Sequence, residues 1–388
     1  MRFENISGVA PSDPEARAAA LQAPGFGRRF SDHMASARWS VDAGWHDGQL
    51  LPYAPLVLDP AAAVLHYSQS VFEGLKAYRQ PGGGVALFRP ERNAARMAAS
   101  CRRLALPELP VEGFLAACEL LVRTDVDWVP DGDGESLYLR PLMFVDESSL
   151  MVHPSDSVRF LVLASPAGRY FPGPLRPISL WLTQDYVRAA LGGTGAAKCG
   201  ANYAASLVAQ REAMTHGCDQ VVFVDAVEHR WVDELAGSNI FFVLDDGTVV
   251  TPELSGAILP GVTREAVLQL ARDMGHPVEE RLVDIEEWRD GARTGRITEV
   301  FAGGTAAVLT PVGSLRWPGG EVTTGDGTPG ETTVALRTAL MDLQYGTIGL
   351  RAALWVLTSG LALATLTLLR GPLIGNRALP RSVALDQP

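Results

Sequence analysis

Of the 33 basic residues in this chain only two are lysines, Lys76 and Lys198; the other 31 are arginines. Arginine stays protonated and cannot add to a carbonyl, so chemistry that needs an amine nucleophile is confined to these two positions. Lys198 is the better placed. It lies in GGTGAAKCGANYAAS (192–206), where nearly every neighbour is small and a planar ligand can come close to the backbone. The segment is no nucleotide motif: Gly193-Thr194-Gly195 lacks the third glycine of GxGxxG, and Ala197-Lys198-Cys199 is neither GKS nor GKT. Cys101, Cys118, Cys199 and Cys218 make no CxxC, and the seven histidines make no HExxH. A disulfide scaffold and a dedicated zinc site are therefore not expected.

The elements that must position Lys198 can be read from the rest of the chain. Its 388 residues, 47% hydrophobic and 20% charged, suit two or three domains with a sizeable core. With 44 acidic residues and a net charge of −11, no broad cationic surface for nucleic acid is expected. The N-terminus, MRFENISGVAPSDPEAR, has no apolar signal core, so a reducing cytoplasm is the expected location.

Strand and helix signals alternate, which predicts mixed α/β architecture. Val85–Phe88 reads as a strand, and Pro90-Glu91 opens a helix that must stop before Pro107. A strand follows at 158–165. Residues 166–177 carry four prolines and two glycines, which excludes regular structure there and places a domain boundary near 172. Beyond it, 178–183 and 220–224 read as buried strands and 204–216 as a helix closed by Gly217. Segments 239–244 and 248–251 flank Asp245-Asp246-Gly247 as a hairpin, and 263–274 is a helix ended by Gly275. The expected division is a smaller N-terminal α/β domain at 1–172, a linker at 173–185, a larger C-terminal domain at 186–346 and a tail at 347–388.

Several separated blocks carry a resemblance: HYSQSVFEGLKAYR (66–79), LFRPERN (87–93), SLYLRPLMF (136–144), ASPAGRYFPG (164–173), the lysine segment, ELAGSNIFF (234–242), LPGVTR (259–264) and EVFAGGTAAVLTPVG (299–313). In this order they resemble the branched-chain amino acid aminotransferases of fold type IV of the pyridoxal-phosphate enzymes, which are D-amino-acid aminotransferase-like. The forms from high-GC actinobacteria are the most similar, over roughly 30–345.

The resemblance implies a two-domain enzyme with pyridoxal 5′-phosphate on Lys198, whose amine forms the Schiff base and later moves a proton, leaving Lys76 a structural or surface residue. Glu234 would face the pyridine nitrogen; at about 4 Å and an effective dielectric near 20 such a pair is worth roughly 4 kcal/mol. Tyr203 would meet the phenolic oxygen. Arg89, the helix start at Val262 and Thr263, and Thr305 would hold the phosphate. Phe72, Tyr67 and Tyr170 would form an apolar cage. Tyr138 and Arg140, on one side of a strand, would meet substrate carboxylates, with Arg140 on the distal carboxylate of glutamate and the backbone at Thr305 and Ala306 on the α-carboxylate. Without such a ligand Arg140 needs a protein carboxylate such as Asp146.

The implied reaction moves the amino group between L-leucine, L-isoleucine or L-valine and 2-oxoglutarate in a homodimer. Relatives acting on D-amino acids, aromatic amino acids or aminodeoxychorismate, and a degenerate membrane-attached scaffold protein, are the alternatives. Three departures from the family pattern, Ala201, the pair Ala190-Leu191 and the run Leu235-Ala236-Gly237-Ser238, lie close to the expected cofactor. The 42 residues after 346 match nothing in the family. Within them 352–369 runs 18 residues without a charge, about 27 Å as a helix and the lower limit for a membrane span. A membrane anchor, a packed helix and the product of a shifted reading frame all stay open for it.

Overall fold

The computed structural model describes residues 1–6, 8, 12–169, 173–347 and 366–368. Two nine-stranded sheets, each with helices against it, account for its two halves. In the first, the order is Glu4–Asn5, Gly44–Pro52, His33–Ser40, Ser157–Ala167, Ser136–Val145, Leu75–Arg79, Val85–Phe88 and Leu366–Leu368, with Ser70–Phe72 also paired to Ser136–Val145. Ser136–Val145 reads SLYLRPLMFV, apolar on both faces over most of its length. It is accordingly central, antiparallel to Ser157–Ala167 on one side and to Leu75–Arg79 and Ser70–Phe72 on the other. Helices Pro90–Arg103 and Val111–Thr124 cover this sheet and bury Met97, Phe114, Leu121 and Val122 in its core.

The second sheet runs Val232–Leu235, Gln220–Val224, Ile178–Leu182, Val308–Trp317, Ile297–Gly304, Asn239–Leu244, Val249–Pro252 and Val278–Arg281, with Gly320–Thr323 on Val308–Trp317. Phe241 and Phe301 stack across two of these strands, and fully buried Trp288 meets Phe242 edge-on. Each such ring contributes about 1.5–3 kcal/mol by leaving water. Helix Val262–Asp273 starts immediately after Gly261, and Gly275 beyond its end takes φ +86°.

Three expectations need correction. Regular structure is not excluded throughout 166–177, because the strand Ser157–Ala167 runs two residues into it, with Pro166 opposite Leu137 and Ala167 opposite Ser136. The residues assigned to a linker, 173–185, include the strand Ile178–Leu182, because ISLWL is an apolar run with a parallel partner on either side. The helix expected at 204–216 starts four residues earlier, as Gly200–Thr215, so it opens two residues after Lys198. The candidate apolar helix at 352–369 lies outside the described residues except for Leu366–Leu368. Those three are a strand, antiparallel to Val85–Phe88. Among the described residues no helix is long and apolar enough to cross a membrane.

Candidate active site

Lys198 sits where the two halves meet, and its backbone is held from the first half. The Phe72 N–H donates to its carbonyl (2.9 Å), its own N–H donates to Ser100 Oγ (2.9 Å), and Cys199 bridges to Val71. Gly195 is glycine because of chain packing: a Cβ there would lie 2.2 Å from the Ala257 carbonyl oxygen. With the main chain fixed, Lys198 Nζ donates to Tyr203 Oη at 2.6 Å and lies 4.8 Å from the centre of the Phe72 ring. These groups face a cavity of about 440 Å³. Burial, with the Arg96 guanidinium adding to it and Glu73 opposing, brings the Lys198 amine down to about 8. Near neutral pH a usable fraction of it is unprotonated, as a nucleophile requires.

At one wall lies Glu234, buried in the second half. Its carboxylate accepts from the Leu259 N–H (2.8 Å) and Asn239 Nδ2 (2.9 Å) and pairs with Arg188 at 2.5 Å. Burial pushes this carboxyl up to about 7 despite Arg188. Burial, with the Glu234 charge, also pushes the Tyr203 phenol up to about 12, so Tyr203 keeps its proton. At the opposite wall Tyr138 and Arg140 project from one face of Ser136–Val145. Arg140 donates to Tyr138 Oη (3.2 Å) and lies 4.8 Å over the Phe72 ring. Asp146 is not its partner, being taken by Arg159 at 3.1 Å. The remaining wall is polar and small: Gly261, Val262 and Thr263 at the start of a helix, Ser238, and the turn at Gly304, Thr305 and Ala306.

The cavity thus gathers Lys198, Tyr203, Glu234, Val262, Thr263, Thr305, Ala306, Phe72, Tyr138 and Arg140. Two predicted residues are elsewhere. Arg89, the residue before helix Pro90–Arg103, has φ +52° and sends its guanidinium along the outer side of the neighbouring helix, to the Val262 carbonyl (3.2 Å) and Glu265 (2.9 Å). It lines a separate cavity of about 490 Å³. The cation at this end of the Lys198 cavity is Arg96, seven residues on and therefore two turns along the same helix. Tyr67 is 43% exposed and donates to the Leu150 carbonyl (2.6 Å), away from the cavity. Tyr170 lies outside the described residues.

Sequence reading missed Glu73, Arg96, Arg188 and Asn239. Glu73 is fully buried and accepts from Arg96 Nε and Nη2 (2.7 and 2.8 Å) and from Asn93 Nδ2 (2.8 Å). Asn93 and Arg96 stand three apart on one helix, the one spacing that hinted at a shared acceptor. Lys76 is neither exposed nor idle: it is 5% exposed and donates to the Ala306 carbonyl at 3.0 Å. All four cysteines are free and buried, and burial holds the Cys101 thiol up at about 12.

A family model described as amino-transferase class IV matches residues 70–315. A probable branched-chain-amino-acid aminotransferase of Streptomyces coelicolor is 55% identical over 338 residues, 87% of this chain and 93% of the relative. The branched-chain-amino-acid aminotransferase of Mycolicibacterium smegmatis is 53% identical over 89% of this chain and 95% of its own. Among solved structures, the Escherichia coli branched-chain amino acid aminotransferase superposes with a TM-score of 0.68 at 28% identity, over 82% of this chain and 97% of that one. A T.th. branched-chain amino acid aminotransferase complexed with N-(5′-phosphopyridoxyl)-L-glutamate gives 0.67 at 28% identity, over 83% and 97%. The chain belongs to the class IV aminotransferases and, within them, to the branched-chain-amino-acid aminotransferases.

Proposed function

We propose that this chain is a pyridoxal-phosphate-dependent transaminase that moves the amino group between L-leucine, L-isoleucine or L-valine and 2-oxoglutarate. The observation that carries the reading is the Lys198 amine, 2.6 Å from Tyr203 Oη, between a buried carboxylate and an aromatic-cationic wall. The cavity fits the cofactor: an amine at its centre, a buried acid at one side, and a helix start with hydroxyls and a guanidinium at another. Lys198, Tyr203, Glu234, Val262, Thr263 and Thr305 would hold it, with Arg96 in the place expected of Arg89.

When bound, pyridoxal phosphate supplies an aldehyde to take up the amino group and a ring to accept the electron pair left at the substrate Cα. The chain's own groups do the rest. Lys198 Nζ, lowered to about 8, takes the proton from the substrate Cα and returns it. Tyr203, still protonated, donates from a fixed position beside that amine. Glu234 offers a carboxyl poised near neutrality whose charge follows that of whatever faces it. Phe72 presents its ring to an aliphatic side chain, while the Arg140 guanidinium stacked on that ring meets the distal carboxylate of 2-oxoglutarate. One pocket thereby accepts both substrates.

A homodimer in the cytoplasm completes the reading. Its support is an exposed apolar patch: Tyr67 sits against Leu150, and Leu150, Met151 and Val152 are 64%, 68% and 82% exposed. Light scattering on the full chain should give twice the monomer mass. Vesicle flotation with and without residues 347–388 tests whether the tail attaches the enzyme to a membrane. The test of the reaction is the visible spectrum of the holoenzyme: L-leucine should bleach its yellow band and D-alanine should not. A band that ignores L-leucine sinks the substrate assignment.

A further inference from the structure

The cavity of about 490 Å³ on the outer side of helix Val262–Asp273 is as roomy as the one that holds Lys198, and the reaction above makes no use of it. The two lie back to back, with Arg96, Gly261 and Val262 lining both. Its walls are of two kinds. Phe88, Leu254, Pro260 and Leu343, with Ala95 and Ala99 from helix Pro90–Arg103, are apolar, whereas Arg89, Arg92, Arg264 and Arg272 are cationic.

The charges in this cavity do not balance. Glu265 meets Arg89 (2.9 Å) and Arg92 (2.8 Å), and Glu280 meets Arg264 (2.8 Å) and Arg272 (3.5 Å), so two carboxylates face four guanidinium groups. Arg96 adds nothing to the surplus because Glu73 holds it, and among the described residues no other carboxylate lines the cavity. Part of the surplus is buried: Arg89 and Arg264 are 3% and 4% exposed, and the Nε of each is out of water with no hydrogen-bond acceptor. A buried donor of this kind is costly until an acceptor reaches it. Arg89 also holds φ +52°, left-handed backbone that arginine seldom adopts, and residues kept in such strained conformations cluster at ligand sites.

We propose that this cavity is a second ligand site, which takes a branched aliphatic 2-oxo acid with its oxygens on Arg89 and Arg264 and its side chain on the apolar wall. The choice of ligand rests on the transaminase reading above, in which such acids are reaction products. Charge favours the 2-oxo acid over the amino acid, because an ammonium group would add to the positive surplus and would find no unpaired carboxylate. The apolar wall favours it over a bare inorganic anion, which would leave that wall in water.

The test is calorimetric titration of the holoenzyme, with its cofactor in the aldehyde form so that no amino group is available for transfer, using 4-methyl-2-oxopentanoate. Two molecules should bind per chain, one in each cavity. Arg89→Met should reduce the count to one, with kcat/KM for L-leucine changed by less than about threefold. Ala95→Phe, which fills the cavity from an exposed helix position and keeps every arginine, should do the same and stands in should Arg89→Met fail to fold. One molecule per chain in the unaltered protein, or two in both variants, overturns the proposal. So does inorganic phosphate filling the second site as tightly as the 2-oxo acid, since the apolar wall would then play no part. Failure of the transaminase reading would show separately, as absence of L-leucine turnover in the unaltered chain, because the count of bound molecules does not depend on turnover.

Discussion

Two buried carboxylates flank Lys198, one from each half of the molecule, and each is paired with an arginine, yet they are held in opposite states. Glu73 receives both arms of Arg96 in a fork, plus Asn93, and this donor set keeps its carboxyl below the ordinary range although burial pushes the other way. Glu234 meets a single nitrogen of Arg188, and that nitrogen also serves the carbonyls of Gly195 (2.8 Å) and Ala257 (3.1 Å). Burial then prevails and the carboxyl rises to about 7. The lesson is geometric. An arginine that presents its whole fork fixes a carboxylate as a permanent anion, which suits an anchor; one that shares a single nitrogen leaves the acid free to follow a ligand's charge.

Lys198 feels both carboxylates, so its loss breaks the comparison most completely. Lys198→Ala should remove the visible cofactor band and lower turnover by at least about 10⁴-fold, whereas Lys76→Ala should keep the band. A Lys198→Ala protein that still bleached with L-leucine would move the chemistry elsewhere. Next in size is Glu73→Gln. It leaves Arg96 as an unpaired buried cation and should cost about 3–5 kcal/mol in guanidinium unfolding. A loss below about 1 kcal/mol would mean that Arg96 finds another partner and that the fork is not the anchor. Glu234→Gln should divide differently: kcat down by roughly 10²–10³-fold, with less loss of stability than Glu73→Gln, because a carboxyl near 7 is already half neutral at working pH.

The same geometry explains what the sequence could and could not tell. Lys198 was legible because so few lysines compete with it and its neighbours are small, and Glu234 because it opens a signature whose later members, Val262 and Thr263, also line the cavity. The strands were legible where apolar runs are bounded by glycine and proline, as at Asn239–Leu244. Arg89 lies against the Val262 carbonyl and Glu265 rather than lining the cavity, because a motif fixes a residue's address in the chain but not the direction of its side chain. Arg89 has left-handed φ at the start of its helix, while Arg96 reaches the cavity two turns later. Glu73 and Arg188 were invisible because each gains meaning from a partner more than 20 residues away, whereas Tyr67, expected in the cage, lies half-exposed against Leu150.

The smallest and sharpest consequence is in the pH dependence of stability, measured on cofactor-free protein so that no ligand charge acts on Glu234. For Glu73 the folded carboxyl lies below its ordinary 4.5, so the unfolded chain holds the proton more tightly. Its contribution is therefore present above about 4.5 and is lost as pH falls through that range. For Glu234 the folded value, about 7, lies above the ordinary 4.5, so the folded chain holds the proton more tightly. Its contribution is present below 4.5, declines as pH rises toward 7, and is flat beyond. Unfolding midpoints of the wild-type chain minus those of Glu73→Gln should thus climb on leaving acid pH, and minus those of Glu234→Gln should fall between 4.5 and 7. If the two difference curves slope the same way, the sharing of one Arg188 nitrogen does not set the state of Glu234, and both acids are simply buried anions.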